Sequence, residues 1–502
     1  MANVIVEEQS LQNIANSIRS KARTNNTFKP SEMSNAIMNI PTGFEIVDAR
    51  YLFYNGARAN SYNMINKYID NLVNVTNTSY MFSIFFPQGG SPINDYSNGY
   101  FNVPNFDTSK VYSMTEMFSG AGLKLTNIPN YNTSNVIYMN YLFSNRTSLI
   151  DINSIDNWDI SKVKYIDGFF SGMNTTPIGS LTFRFPNWNT SNIRGFSNLF
   201  SRVKAVNNSS RIDLDGVLDI TSAFDINCMF ENCNMFKNIC NITTSNENAR
   251  LSISVVNIFA GCEADRISDI NLSGINTHFE TIFKNCNCPI VQNINLCHAN
   301  SIGSIYGGGP FTGLHTNIRD VSNIDLSNAS DAYAFFTSNK LVNVRDINVY
   351  NCSNLVNMFC DSRALINVDN IICVNDANCL NMFYNCSKLV SISNLKLSSI
   401  TNAYQMFSRC NNLVNLPMLN LHNVNNMTST FYACNNLSSN SYANIANSLP
   451  LANNLTNKYL SSMSLNVNNF TVEQILILNN KGYIDANLSA YSNEYEITYS
   501  NL

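Results

Sequence analysis

A phenylalanine returns at positions 336, 359, 383, 407 and 431, and the apolar residues between these marks return with it. Phe383, Cys386, Leu389, Ile392, Leu395, Leu397 and Ile400 coincide with Phe407, Cys410, Leu413, Leu416, Leu419, Leu421 and Val424 when one turn is laid over the next. A ladder of the form L-x-x-L-x-x-L-x-L, recurring every 23 or 24 residues, predicts leucine-rich coils. One such coil cannot bury its apolar side alone, so stacking makes the core. Phenylalanines at 311, 283, 259, 230, 200, 170, 143, 118 and 82 continue the series toward the N-terminus with looser spacing. Loops are therefore expected to leave the stack there, from one face. The expected fold class is an α/β repeat solenoid of about fourteen coils over residues 81–440.

The flanks follow different patterns. In residues 1–43, Leu11, Ile14, Ala15 and Ile18 fall at helical spacing, as do Met33, Ile37 and Ile40 after Pro30, so two short amphipathic helices are predicted. Pro41-Thr42-Gly43 ends this unit. Residues 44–80 are expected to cap the first coil, with a strand at Ala49 to Tyr54 and a helix from Ser61 to Leu72. Phe86 to Tyr100 carries turn residues and aromatics and is expected to protrude as a loop. In residues 441–502, Thr471-Val472-Glu473-Gln474 has the form of a capping box opening a helix. Ile475 and Leu478 would face inward and Gly482 would end it, forming a C-terminal helical cap, while 495–499 alternates like a strand.

Composition narrows the class. Charged residues are 13% of the chain, while asparagine, with 88 copies, is the commonest residue. That suits stacked turns whose side chains bond to neighbouring backbone, though an AT-rich genome would also enrich asparagine. A net charge of -4 offers no basic face, so nucleic acid is not an expected partner. No apolar run is long enough for a membrane helix, and the N-terminus has no basic region ahead of an apolar one. Neither membrane insertion nor export is expected from the sequence. All fourteen cysteines lie between Cys228 and Cys434, and Cys233, Cys262, Cys286, Cys386, Cys410 and Cys434 each fall three residues after a repeat phenylalanine. They read as a column of reduced core thiols rather than a disulfide framework.

Catalytic patterns are weak. The four histidines, His278, His298, His315 and His422, accompany no nucleophile. Cys286, Cys288, Cys297 and His298 supply zinc-type donors without the paired Cys-x-x-Cys spacing. His278-Phe279-Glu280 is half of a deaminase signature whose Pro-Cys-x-x-Cys half is missing. Asp213-Leu214-Asp215-Gly216 fails as a calcium loop at both ends, and the glycine-rich 303–313 stretch is followed by no Gly-Lys-Ser/Thr. Carboxylate pairs for glycoside cleavage need only meet in space, and none stands out. The expectation is a non-enzyme with no cofactor and no metal.

One polar pattern bears on binding. Between two ladder residues of each coil stands Asp107, Asn132, Asp159, Asn189, Asp219, Asn271, Asn295, Asp325, Asn348 or Asn420, with Lys396 as the exception. Alternation along a strand would place these on the exposed face of the sheet, as a polar stripe. The stripe is either a receptor surface or an asparagine ladder bonded between coils.

Four coils carry a further signature: Asn105-Phe106-Asp107-Thr108-Ser109, then Asn130 to Ser134, Asn157 to Ser161 and Asn187 to Ser191, each followed by a Val or Ile and a Met-Phe type pair. With the cysteine three residues after the phenylalanine, this resembles the BspA-like leucine-rich repeat, a family of surface proteins of bacteria, protists and their viruses. The strings Ser10 to Lys21 and Phe28 to Ile37 resemble a module near the N-terminus of tail and baseplate-associated proteins of phages of Gram-positive hosts. Together these resemblances imply a phage virion protein of tail-fibre or receptor-binding type, made in the host cytoplasm and exposed on the particle. Its N-terminal helices, through Leu11, Ile14, Ile18, Met33 and Ile37, would attach to other virion proteins. The solenoid would bind a host surface protein or glycan, and fibres suggest a homo-oligomer, a trimer by analogy. A cellular surface adhesin of the same repeat family and a capsid-surface fibre are the alternatives.

Overall fold

The computed structural model describes residues 46–52, 69–83, 100–120, 124–126, 128–146, 153–175, 188–205, 214, 216–244, 255–275, 278–298, 301–302, 317–337 and 340–483. They fall into two compact units: residues 1–225 with 233–235, and residues 226–232 with 236–502.

The second unit shows the coil in its regular form. Its strands are β6 (Asn238–Ile239), β7 (Ile242–Thr243), β8 (Val255–Val256), β9 (Arg266–Asn271), β10 (His278–Glu280), β11 (Ile290–Asn295), β12 (Ser301–Ile302), β13 (Asp320–Asp325), β14 (Asn343–Asn348), β15 (Asn367–Asn378), β16 (Ser391–Ile392) and β17 (Leu395–Asn402). The main sheet runs β7-β9-β11-β13-β14-β15, with β16 and β17 both pairing β15, and its pairs are parallel. Ile267, Val291, Val321, Val344 and Val368 stand in one row and Ile270, Ile294, Ile324, Ile347 and Ile371 in the next. All of these are buried. The two rows are three residues apart, not two, because Asp269, Asn293, Asn323, Asp346 and Asn370 between them are left-handed, with φ between 53° and 57°. A left-handed residue returns the next side chain to the inner face, which is the physical content of the L-x-x-L spacing. Asn and Asp adopt this conformation more readily than other residues with a Cβ. Here their side chains also join the coils, as Asn293 Nδ2 donates to Asp269 Oδ1 at 2.8 Å and Asn323 Nδ2 to Asn293 Oδ1 at 3.0 Å.

On the other side of the coil, wherever both flanks are among the described residues, the repeat phenylalanine lies between two left-handed residues. Asn357 and Asp361 flank Phe359, Asn381 and Asn385 flank Phe383, and Gln405 and Arg409 flank Phe407. This alternation forbids an α-helix, which requires successive right-handed residues. It also points alternate N–H groups at the next coil: Asn357, Phe359 and Asp361 donate to the carbonyls of Leu380, Met382 and Tyr384 at 3.0, 2.8 and 2.9 Å. The intervening Met358, Cys360 and Ser362 donate three residues back within their own coil. Every second peptide thus ties one coil to its neighbour, and the phenylalanines stack, with Phe359 and Phe383 at 5.1 Å and 1°.

In four coils of the second unit a side chain three residues after the phenylalanine donates to the phenylalanine carbonyl of the preceding coil. Cys386, Cys410 and Cys434 Sγ do so at 3.1, 3.1 and 3.0 Å, and Ser362 Oγ at 2.9 Å. In the first unit Arg146 Nε takes the same place on Phe118. Cys386, Cys410 and Cys434 of the cysteine column are therefore hydrogen-bond donors as well as small apolar groups, which the sequence reading missed. All fourteen cysteines are free thiols.

The first unit is built on the same plan with little strand. It contains β1 (Tyr100–Asn102) paired with β2 (Lys124–Thr126), β3 (Asn174–Thr175) paired with β4 (Lys204–Ala205), and β5 (Leu218–Asp219). Its coils meet through single parallel bridges running Asp48, Asn77, Ser113, Tyr138, Tyr165, Gly195, Asp225. Phe82, Phe118, Phe143, Phe170 and Phe200 stack in order, with centroids 5.5 to 6.0 Å apart.

Several expectations need correction. The coils are not α/β: both α-helices among the described residues, α1 (Ser439–Ser448) and α2 (Val472–Asn480), follow the last coil. An array of about fourteen equivalent coils also does not form. Strands of six or more residues occur in about six turns, all in the second unit, at β9, β11, β13, β14, β15 and β17. Ala49 to Leu52 is a turn and not a strand, since Tyr51 is left-handed and Ala49 donates to the Asn77 carbonyl. The sequence did hold a signal for this, because Tyr51-Leu52-Phe53 repeats Tyr141-Leu142-Phe143. The expected N-terminal helices of residues 1–43, residues 61–68 of the expected helix at 61–72, the loop at 86–99, Phe311 and the 495–499 strand lie outside the described residues, while Ile69–Asn71 forms a short 3-10 turn.

At the C-terminus α2 opens with the expected capping box, Thr471 and Gln474 exchanging bonds at 3.0 and 3.3 Å, and buries Ile475 and Leu478. Helix α1, unanticipated because its apolar face is thin, lies on the edge of the last coil. There Ser441 and Ser448 Oγ accept from Leu416 and Leu419 N–H at 2.9 and 2.8 Å. Lys481 Nζ gathers the carbonyls of Ala446, Asn447 and Leu449 at the end of α1.

Candidate binding faces

The polar stripe is a column of side-chain turns. Asp107, Asn132, Asp159, Asn189 and Asp219 each accept, through Oδ1, the N–H two residues on, at 2.9 to 3.1 Å. Asn271, Asn295, Asp325 and Asn348 do the same at 2.9 to 3.2 Å. The last four close β9, β11, β13 and β14, so the structure places them half-buried at strand ends rather than exposed along the face of the sheet. Asp107, Asn132, Asp159 and Asn189 are exposed but belong to no strand. Lys396 is the exposed second residue of β17, and Asn420 bonds Ser398 O and His422. Stripe side chains also bond to one another, as Asn348 Nδ2 donates to Asp325 Oδ1 at 3.1 Å. The serine amide holds the Asp107 and Asp159 carboxyls below the usual carboxylate range.

A second face, which the sequence reading missed, belongs to the first unit and lies along its bridge row. Tyr138 and Tyr165 occupy consecutive places in that row, their rings 5.4 Å apart and 6° from parallel, with Tyr138 38% exposed. Beside them, two residues before the phenylalanine, stand the left-handed Tyr80, Glu116 and Tyr141. Glu116 is hydrogen-bonded by Tyr80 and Ser119. Two glycines make room for these side chains. A Cβ on Gly168 would lie 2.2 Å from the Tyr141 ring, and one on Gly195 would lie 2.3 Å from Asp167 Oδ2. Asp167 thus leans over Gly195 into the next coil, where its Oδ1 accepts from Ser197 N–H at 3.0 Å. Arg194 lies 5.3 Å from the ring of Phe224, which is 57% exposed.

Burial dominates the electrostatics of this face. Burial raises the Glu116 carboxyl, and burial together with the charge of Asp225 raises that of Asp167. Burial, then Asp167, Glu116 and Asp225, raises the Tyr141 hydroxyl. The charges acting on Asp167 and Tyr141 are acidic, while Arg194 brings a cation to the same face. The signal in the sequence was tyrosine where other coils have asparagine, five residues before the phenylalanine, and only stacking shows that these tyrosines adjoin.

The zinc-type donors do not assemble into a site. His298 Nδ1 bonds Ser273 O at 2.6 Å and lies 3.3 Å from Cys297 Sγ, while Cys288 Sγ donates to Ile290 O. Among the described residues no three His, Cys, Asp or Glu side chains converge as metal ligands would. Burial raises the Cys410 thiol, as it does those of Cys352 and Cys386, and pushes those of Cys360 and Cys434 up to about 12, away from the thiolate that nucleophilic chemistry needs. The attachment residues Leu11, Ile14, Ile18, Met33 and Ile37 lie outside the described residues. No described helix is long and apolar enough to cross a membrane.

The family described as "Mycoplasma protein of unknown function, DUF285" matches residues 93–209, 155–266, 277–389, 310–445 and 362–473. The matches overlap, as a profile several coils long does when it can be laid on an array in shifted positions. Together they take in residues 93–266 and 277–473, well over half of the chain. No curated protein and no solved structure matches.

Proposed function

The chain belongs to the DUF285 repeat family, and on that premise we propose that it is a non-catalytic recognition protein that displays its coils on the surface of a phage particle. One observation carries this reading: Asp or Asn returns at the same stripe position from coil to coil, which suits an extended partner. Placement on a tail, with attachment through residues 1–43 and a trimeric fibre, rests on the sequence resemblance of Ser10 to Lys21 and Phe28 to Ile37. A capsid-surface fibre is a variant of the same reading. The second reading, a surface protein of a cell, is favoured by the family's description, which names Mycoplasma.

Mass spectrometry of purified particles tests the first reading, which expects the chain among the virion proteins. Its recovery in a cell-surface fraction with none in particles favours the second. Adsorption of host cells to the purified chain tests recognition, and a chain that adsorbs to no cell and enters no particle overturns both.

A further inference from the structure

We draw no further inference here: the strongest candidate, the half-buried Cys297 thiol that follows β11 and lies 3.3 Å from His298 Nδ1, is a single cysteine whose histidine nitrogen is already bonded to the Ser273 carbonyl at 2.6 Å, and nothing in the structure points to a ligand there.

Discussion

The two units solve one structural problem with different atoms. In both, the carbonyl of the stripe residue must find a donor in the preceding coil. In the second unit the donor is backbone, as Leu272, Leu296 and Leu326 N–H reach the carbonyls of Asn295, Asp325 and Asn348 at 2.9, 2.8 and 2.7 Å. In the first unit it is a buried threonine, as Thr108, Thr133 and Thr190 Oγ1 reach Asn132, Asp159 and Asp219 at 2.9, 2.8 and 2.9 Å. The Asp-Thr-Ser signature is therefore a complete joint: the first side chain closes a turn onto the serine amide and the threonine ties the coil to its neighbour. Where threonine serves, the strand is unnecessary and coils meet by single bridges. Where leucine stands, long strands form. A sequence motif that reads as a recognition signature is thus first a device for stacking without a sheet.

The largest test of this comparison lies in the shared core. Phe143→Ala in the first unit and Phe383→Ala in the second should each cost about 3–5 kcal/mol, since both are fully buried in phenylalanine stacks. Hydrogen exchange should show the lost protection concentrated in the coils adjoining each site, because coils contact only their neighbours. Loss of protection spread evenly over the chain would break the nearest-neighbour picture.

The joint itself is tested next. Thr133→Val keeps the shape and adds apolar surface, yet it removes the donor to Asp159 O and should destabilise the first unit by about 1–3 kcal/mol. Leu326→Thr in the second unit should also destabilise, because its backbone already supplies the bond and the change only removes buried apolar surface. A neutral Thr133→Val in urea unfolding would show that the hydroxyl is dispensable.

The donor column after the phenylalanine gives a smaller effect. Cys410→Ser keeps a donor for Phe383 O, whereas Cys410→Val does not and should be the less stable of the two by about 1 kcal/mol. Thiol reagents should label few cysteines in the native protein and all of them after denaturation. A melting temperature lowered by reductant would contradict the free thiols.

The smallest effect separates the two faces by the sign of their pH dependence. The Glu116 and Asp167 carboxyls are raised on folding, so their contribution to stability is fully present in acid and is lost as pH rises through the folded values. Glu116→Gln should therefore raise the melting temperature at neutral pH and lose that advantage in acid. Asp107 and Asp159 are lowered, so theirs is present at neutral pH and lost as pH falls. Asp159→Asn should thus cost a little at neutral pH and nothing in strong acid. The same sign for both pairs would refute the assignment of their environments.

Read alone, the sequence determined the repeat, its phase and its core: the period of the phenylalanines and the L-x-x-L ladder place buried side chains because apolar spacing reports which residues must share an inner face. The capping box of α2 and the polarity of the stripe were legible for the same reason, being local or strictly periodic. The non-helical turn around each phenylalanine was not legible, since the pairs of left-handed residues are filled by Asn, Asp, Gly, Gln, Arg, Ser and Ala alike. Their conformation is held by bonds to the next coil rather than by residue type. Nor could the sequence show that Tyr138 adjoins Tyr165, that Asp167 lies over Gly195, or that a cysteine, a serine and an arginine do one task. Those relations join residues about a coil apart, and stacking alone brings them within hydrogen-bond reach.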